Sequence, residues 1–437
     1  MSQMIAAIDV HKKMLAVVVA DGSEEASTPF LRKKFGTQPT DLKLLREWFT
    51  GLKVEEVVME STAQYWKPVW AELEGKFHLE LAQARSNQGR KGRKSDFRDA
   101  ERLWRRYDAE ELILSFVPDR EQQIWRTQSR TKMRLTRDKT RIQNRVEALL
   151  EEMGIKLSSV VSDLFGVSAR RMLRGIAEGE TKVETLAAMA DEHLRATKKE
   201  LCDAMEQVNR LDARYRAVLK MFLDQLDLNE KQSQELLEGL AKSLEPHKDA
   251  VERVAEIPGM GSDSALQVIA EVGAEAEKFE TAGDLSSWVG VCPGEEESAE
   301  ESSSDRSPKG NMAMRRILAQ TANAAVKSKN TVFEARYKRI KGRDAKKHNK
   351  AVWAVAHHQC RVIWKVLHDG VRYEERGGQR DPKAVRRRAA KLARELRELG
   401  YEVRKVPTPQ VSNRPTLEIP KAPQPRGCKI PNPEVRA

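Results

Sequence analysis

"MIAAIDVHKKMLAVVVADGS", residues 4–23, contains two apolar runs separated by a polar turn. "IAAIDV" and "MLAVVVA" have the length of buried strands, and Asp21-Gly22 marks the turn that follows. A third strand is expected around "FLRKKFG" (30–36), a helix over "DLKLLREWFTGLK" (41–53) and a strand over "VEEVVMEST" (54–62). "QYWKPVWAELEGK" (64–76) has helical spacing, "FHLELAQA" (77–84) reads as a strand, and a helix starts after Ser95. The order β-β-β-α-β-α-β-α implies a mixed sheet flanked by helices.

The acids in this frame carry the chemistry. Asp9 interrupts an apolar strand, where a charge is costly unless it is paired or bound to a cation. Glu60 ends the apolar run "EEVVME" in the same way. "RKSDFRDAERL" (93–103) sets Asp96 and Asp99 in the first turn of a helix with Ser95 as N-cap. Residues three apart share a helix face, so both carboxylates can reach one spot, although acids at a helix start also suit the macrodipole. Four such acids form an all-oxygen cluster suited to Mg²⁺ or Mn²⁺, and two such ions can stabilise the oxygens of a phosphodiester. Acids and element order together have the layout of the ribonuclease-H-like fold of the RuvC type. The neighbouring Arg90, Lys91, Arg93 and Lys94 are expected to grip phosphates.

The formal net charge of +12 favours a polyanionic partner, nucleic acid or an anionic membrane surface. No apolar run approaches a membrane span, the N-terminus lacks a secretory pattern, and the four cysteines are far apart with no CxxC. A cytoplasmic, nucleoid-associated protein with no membrane partner is expected. "HHQC" (357–360) sits in an apolar helical pattern and reads as core rather than as a metal site.

From Arg120 the pattern is helical, with Leu135, Ile142, Val146, Leu149 and Met153 on one side. Arginines crowd the other faces, and Arg130, Arg134, Arg137 and Arg141 are expected to track phosphates. Residues 190–240 keep a seven-residue repeat through Leu201/Met205, Val208, Tyr215/Leu219 and Phe222/Leu226, broken at Asp212. An intramolecular helical hairpin and a dimerising coiled coil both fit. "IPGMG" (257–261) before a helix resembles the hairpin of a helix-hairpin-helix, in which Gly259 and Gly261 would meet a phosphate; a plain Gly-Pro turn is the simpler reading. The fold class is α/β plus α. The expected domains are a RuvC-like catalytic domain (1–115), basic helices and coiled coil (116–245), a mostly helical C-terminal domain (246–372), and a basic, Pro-rich tail (373–437) that includes the amphipathic "DPKAVRRRAAKLARELRELG".

Eight blocks in order carry a family resemblance: "IDVHK" (8–12), "MESTAQYW" (59–66), "GRKSDFRDAERL" (92–103), "QNRVEALLEEMG" (143–154), "IPGMG" (257–261), "WVGVCPGEEESA" (288–299), "KGNMAMRRIL" (309–318) and "AVAHHQCRVIWKVLHDG" (354–370). The chain resembles the DEDD-type transposases of bacterial insertion sequences, a group that includes the pilin-gene invertases and is described as bridge-RNA-guided recombinases. The resemblance implies that Asp9, Glu60, Asp96 and Asp99 are the metal-binding catalytic acids and that Ser298, in "EESA", is the nucleophile of a C-terminal transposase domain. It further implies a covalent phosphoserine link to DNA, a guide RNA pairing with donor and target, Lys309 of "KGN" beside the nucleic acid, and a homo-oligomer, dimer or tetramer.

Two features depart from the family pattern. Family members often carry glycine and basic residues after the serine, whereas "AEESSSDR" is acidic, which leaves Ser302, Ser303 and Ser304 as alternative nucleophiles. Ala63 stands where glycine is common. The competing functions are a DNA invertase, a metal-dependent nuclease of the junction-resolvase kind with water as nucleophile, and a binding protein without catalysis.

Overall fold

The computed structural model describes residues 4–22, 29–60, 63–84, 87, 95–292, 297–298, 301–302, 307, 309–375 and 377, with 390, 392–397 and 403 in the tail. The expected Arg90, Lys91, Arg93 and Lys94, and the alternatives Ser303 and Ser304, lie outside the described residues. Contacts group residues up to Gly378 as one unit and Gln379–Ala437 as another.

Five strands form one sheet: β1 (Met4–Val10), β2 (Met14–Asp21), β3 (Leu31–Gly36), β4 (Glu56–Glu60) and β5 (His78–Ala82), in the order β3-β2-β1-β4-β5. The β1–β2 and β2–β3 pairs are antiparallel, and β4 runs parallel to both β1 and β5. The connections from β3 to β4 and from β4 to β5 hold α1 (Pro39–Gly51) and α2 (Trp66–Leu73), and α3 (Asp96–Asp108) follows β5. α1 and α2 bury Leu45, Phe49, Val69 and Leu73 on one sheet face, against Ile8, Val17 and Met59. α3 buries Ala100, Leu103 and Trp104 on the other, against Ile5, Ala7 and Val58, and Trp104 Nε1 donates to the Ile5 carbonyl at 3.0 Å. This mixed α/β arrangement is consistent with a ribonuclease-H-like domain.

The 33-residue α4 (Arg120–Glu152) belongs to two cores. Its first half contributes Trp125 and Met133 to the core of the C-terminal helices, and its last turns contribute Val146, Leu149 and Leu150 to a separate helical core. Four short helices, α5 (Leu157–Val160), α6 (Val167–Glu178), α7 (Val183–Ala188) and α8 (Lys198–Ala204), precede the long α9 (Ala213–Ser243), which packs along α4. The seven-residue repeat is therefore not one continuous helix. Asp212, which interrupts its pattern, N-caps α9 by accepting from the Arg214 backbone N–H, and a 3₁₀ turn over Glu206–Arg210 precedes it. Leu201, Met205, Val208, Leu219 and Leu223 still share one core, so the apolar spacing records an intramolecular packing.

The C-terminal part consists of α10 (Lys248–Ala255), α11 (Ser262–Val272), α12 (Ala282–Val289), a two-strand ribbon of β6 (Glu297–Ser298) and β7 (Glu301–Ser302), α13 (Met312–Ala325), α14 (Val332–Lys341) and α15 (His348–His368). Cys360 is buried on α15, and desolvation raises its thiol to about 12. His358 packs against Phe333 at 5.5 Å between ring centroids, and burial pushes its pKa down to about 4. Cys360 is therefore a core residue, and His358 is half-buried beside that core.

Candidate active site

The two-residue period of a strand decides where the first acids point. On β1, Ala6, Ile8 and Val10 face α1 and α2, so Ile5, Ala7 and Asp9 face α3. On β4, Val57 and Met59 face α1 and α2 while Val58 faces α3, which puts Glu60 on the α3 side as well. Ile8 and Met59 are register partners, so Asp9 and Glu60 follow one another at the carboxyl ends of the two central strands. α3 carries Asp96 and Asp99 in its first turn. Ser95 holds the N-cap position with extended backbone but makes no side-chain cap bond.

Asp9 is more enclosed than Asp96 and Asp99, its side chain 16% exposed against 38% and 28%. His11 Nε2 lies 3.0 Å from Asp9 Oδ2 and 3.7 Å from Asp96 Oδ1, and Lys34 Nζ donates to Asp96 Oδ2 at 2.9 Å. Burial raises the Asp9 pKa; His11 counteracts this in part, and the charges of Asp99 and Glu60 raise it again. Asp96 is shifted the other way, mainly by the Lys34 hydrogen bond. The four acids thus share one electrostatic neighbourhood. One donor atom each from Asp9, His11 and Asp96 lies within 4.8 Å of the others, a group that can hold a metal ion. Carboxylate oxygens with one imidazole, around a partly desolvated acid repelled by two more, fit a divalent cation.

The expectation that Asp96 and Asp99 point at one spot needs correction. Asp96 turns to His11 and Lys34, whereas Asp99 pairs with Arg102, three residues along α3, at 2.8 Å. The nearer cation on the same helix face takes Asp99. Arg102 Nε also donates to the Asn87 carbonyl at 3.1 Å, and Asn87 Nδ2 donates to Glu60 Oε2 at 2.9 Å. Glu60 and Asp99 are therefore braced by one network through the buried Asn87. Sequence reasoning missed His11, Lys34, Asn87 and Arg102. His11 was legible, because it stands two residues after Asp9 and keeps its side of the sheet edge. Lys34 needed the register: it pairs with Ala16, which pairs with Asp9.

A cleft of about 780 Å³ opens beside this sheet edge. Gln83 lines it, immediately after Ala82, the register partner of Glu60. Arg134 and Arg137 of α4, both exposed, also line it, as do Trp288 and Lys309. There the ends of the serine-bearing segment meet. The Asn311 N–H donates to the Trp288 carbonyl at 3.0 Å, and the Asn311 side chain caps α13 through the Ala313 and Met314 N–H groups. A Cβ at Gly310 would come within 2.3 Å of the Val289 carbonyl, so only glycine permits this closure. Ser298 itself lies on β6, paired antiparallel with Glu301 of β7.

Two of the expected phosphate contacts are otherwise engaged. Arg130 binds the fully buried Glu271 through both carboxylate oxygens, Nε to Oε1 at 2.7 Å and a terminal nitrogen to Oε2 at 2.8 Å. A buried carboxylate demands such a partner, which takes Arg130 from the role given to it above. Arg141 pairs with Asp138 at 2.9 Å and lies outside the cleft lining. At the "IPGMG" turn Gly259 has φ +86°, and a Cβ there would come within 2.3 Å of the Thr321 carbonyl. Packing on α13 accounts for this glycine, whereas Gly261 is exposed at the N-cap of α11. Gly259→Ala is expected to destabilise the protein by about 2 kcal/mol or more, from left-handed backbone strain and overpacking, measured as a shift of the urea midpoint. An unchanged midpoint would show that the turn can move away from α13.

Comparison with known proteins places these features. Residues 6–155 match the DEDD transposase family of the IS110 elements, and residues 251–338 match the "Transposase IS116/IS110/IS902 family". The two matches together span more than half of the chain. A "Probable family 20 transposase" of Pseudomonas aeruginosa is similar at 26% identity over 328 residues, which is 74% of this chain and 87% of that protein. The acid-bearing sheet lies within the first match, and the Gly259 turn and the ends of the serine-bearing segment lie within the second. The chain belongs to the DEDD-type insertion-sequence transposases of the IS110 family, and it is a DNA transposase.

Proposed function

We propose that this transposase is a site-specific recombinase that cuts and rejoins DNA at a composite site. The acids of the ribonuclease-H-like, RuvC-type domain (1–115) form one part and Ser298 of the C-terminal domain (246–372) forms the other. The observation that carries this reading is the cleft. One side begins beside the strand end bearing Glu60, and the other is the junction from which the serine-bearing segment leaves and returns.

Asp9, Glu60, Asp96 and Asp99, with His11, would hold Mg²⁺ or Mn²⁺. Such an ion supplies charge stabilisation at a phosphate under attack. The chain's own part is as follows. Arg134, Arg137 and Lys309 hold the nucleic-acid backbone in the cleft. The Ser298 hydroxyl oxygen attacks phosphorus, one P–O ester bond of the DNA breaks, and the leaving oxygen takes up a proton. The phosphoserine ester conserves the bond energy, so that a free DNA hydroxyl can reverse the step on a new strand. A guide RNA would supply sequence choice by base pairing, and a second copy of the chain would bring the second DNA.

Denaturing a reaction in progress and mapping the DNA-linked peptide by mass spectrometry tests the assignment. An adduct on Ser298 is expected, absent in Ser298→Ala, which should still bind DNA; Ser302→Ala should be nearly silent. Hydrolysed ends with Ser298→Ala fully active would instead establish water as the nucleophile.

A further inference from the structure

Between α2 and α4 lies a second cavity, about 380 Å³, that shares Phe116, Arg126, Arg130 and Arg134 with the larger cleft. Gln64, Trp66 and Lys67 line its other side. Lys67 stands on the first turn of α2, seven residues after Glu60, so the helix start ties it to the acid-bearing strand end. The described lining contains three arginines and this lysine, and no carboxylate.

The charges here are unbalanced. Glu271, in the last turn of α11, engages Arg130 and approaches Arg126 at 3.7 Å. Asp119 caps the α4 start by accepting from the Gln122 N–H, and it acts on Arg126. Lys67 is half-buried; burial lowers its pKa first, and the charges of Arg130 and Arg126 lower it further. Gathering like charges in a partly desolvated cavity costs free energy that a bound anion removes. The cavity runs into the larger cleft, so an extended polyanion fits it better than an isolated ion.

We propose that Lys67, with Arg134, binds a backbone phosphate of the DNA strand lying in the cleft. This rests on the reading of the cleft as the nucleic-acid path and adds its α2 wall. Lys67 would act as a positioning residue, since it reaches the strand from the helix that follows the Glu60 strand end. Arg130 and Arg126, bound to Glu271, would contribute field rather than direct contacts.

The test uses the full-length protein and single-stranded DNA, with affinity measured by fluorescence anisotropy across a series of KCl concentrations. Lys67→Gln is expected to weaken binding about tenfold at low salt, and to reduce the slope of log K against log salt by about 0.7, the loss of one single-strand phosphate contact. Lys67→Arg should retain both affinity and slope, which separates charge from any packing effect of the substitution. An unchanged slope in Lys67→Gln, or no recovery with arginine, overturns the proposal. The double variant Arg134→Gln, Arg137→Gln tests the underlying reading: weakened binding there with an unaffected Lys67→Gln removes only this subsite, and no effect in either removes the cleft as nucleic-acid path. RNA of the same sequence distinguishes the ligands, since a loss confined to RNA would overturn the assignment to DNA.

Discussion

Asp9→Asn is expected to reduce strand cleavage by roughly a thousandfold or more, because removing a ligand from a divalent-ion site forfeits several kcal/mol of charge stabilisation. The same substitution should raise the thermal midpoint of the metal-free protein. Burial and the charges of Asp99 and Glu60 raise the Asp9 pKa, so the fold disfavours the ionised form. An acid with a folded pKa above its unfolded value loses stability as pH rises between the two, and at neutral pH the whole deficit is present. A neutral asparagine removes it. Mg²⁺ or Mn²⁺ should raise the midpoint of the wild-type protein by binding the folded state, and this increment should vanish in Asp9→Asn. Glu60→Gln, Asp96→Asn and Asp99→Asn should lose activity as well. Asp96→Asn should not share the stability gain, since Lys34 lowers the pKa of this carboxyl. Calorimetry with and without the ion, beside a cleavage assay, checks the set. Cleavage by Asp9→Asn at close to the wild-type rate would remove Asp9 from the site.

Glu271→Ala is expected to cost about 3 kcal/mol, at the lower end of the range for breaking a buried ion pair. Glu271 is fully buried at the end of α11 and accepts from Arg130 and from Asn311 Nδ2, the latter at 2.8 Å. It thus ties α4 to the residue that caps α13 and closes the serine-bearing segment. The cost stays at the lower end because Arg130, 46% exposed, can turn to water once released. Arg126 cannot follow: its side chain is 11% exposed, and burial already brings its pKa down to about 10 despite the Glu271 charge. The urea midpoint reports the loss. Glu271→Gln should fall between wild type and alanine, since it keeps an acceptor but not the charge. A shift below about 1 kcal/mol in Glu271→Ala would show that solvent reaches both arginines.

The sequence alone determined the parts of this protein that depend on local periodicity. The apolar runs of "IAAIDV" and "EEVVME" made strands that carry acids at their ends, and the β-β-β-α-β-α-β-α order left few ways to arrange them. The 3.6-residue spacing from Arg120 made one long helix with arginines along it. Only the tertiary structure decided which charge meets which. Arg130 and Glu271 are 141 residues apart, and nothing near either one announces the pair. Lys34 reaches Asp96 across 62 residues because β3 pairs with β2, and Asp99 leaves its neighbour for Arg102. The seven-residue repeat was visible, but its interruption was decided by Asp212 capping a new helix. Periodicity follows from backbone geometry within a few residues, so a chain displays it before it folds. Ion pairing depends on desolvation and on distances that exist only once the elements pack, and one arginine among seven on a helix is singled out by the carboxylate that folding buries against it.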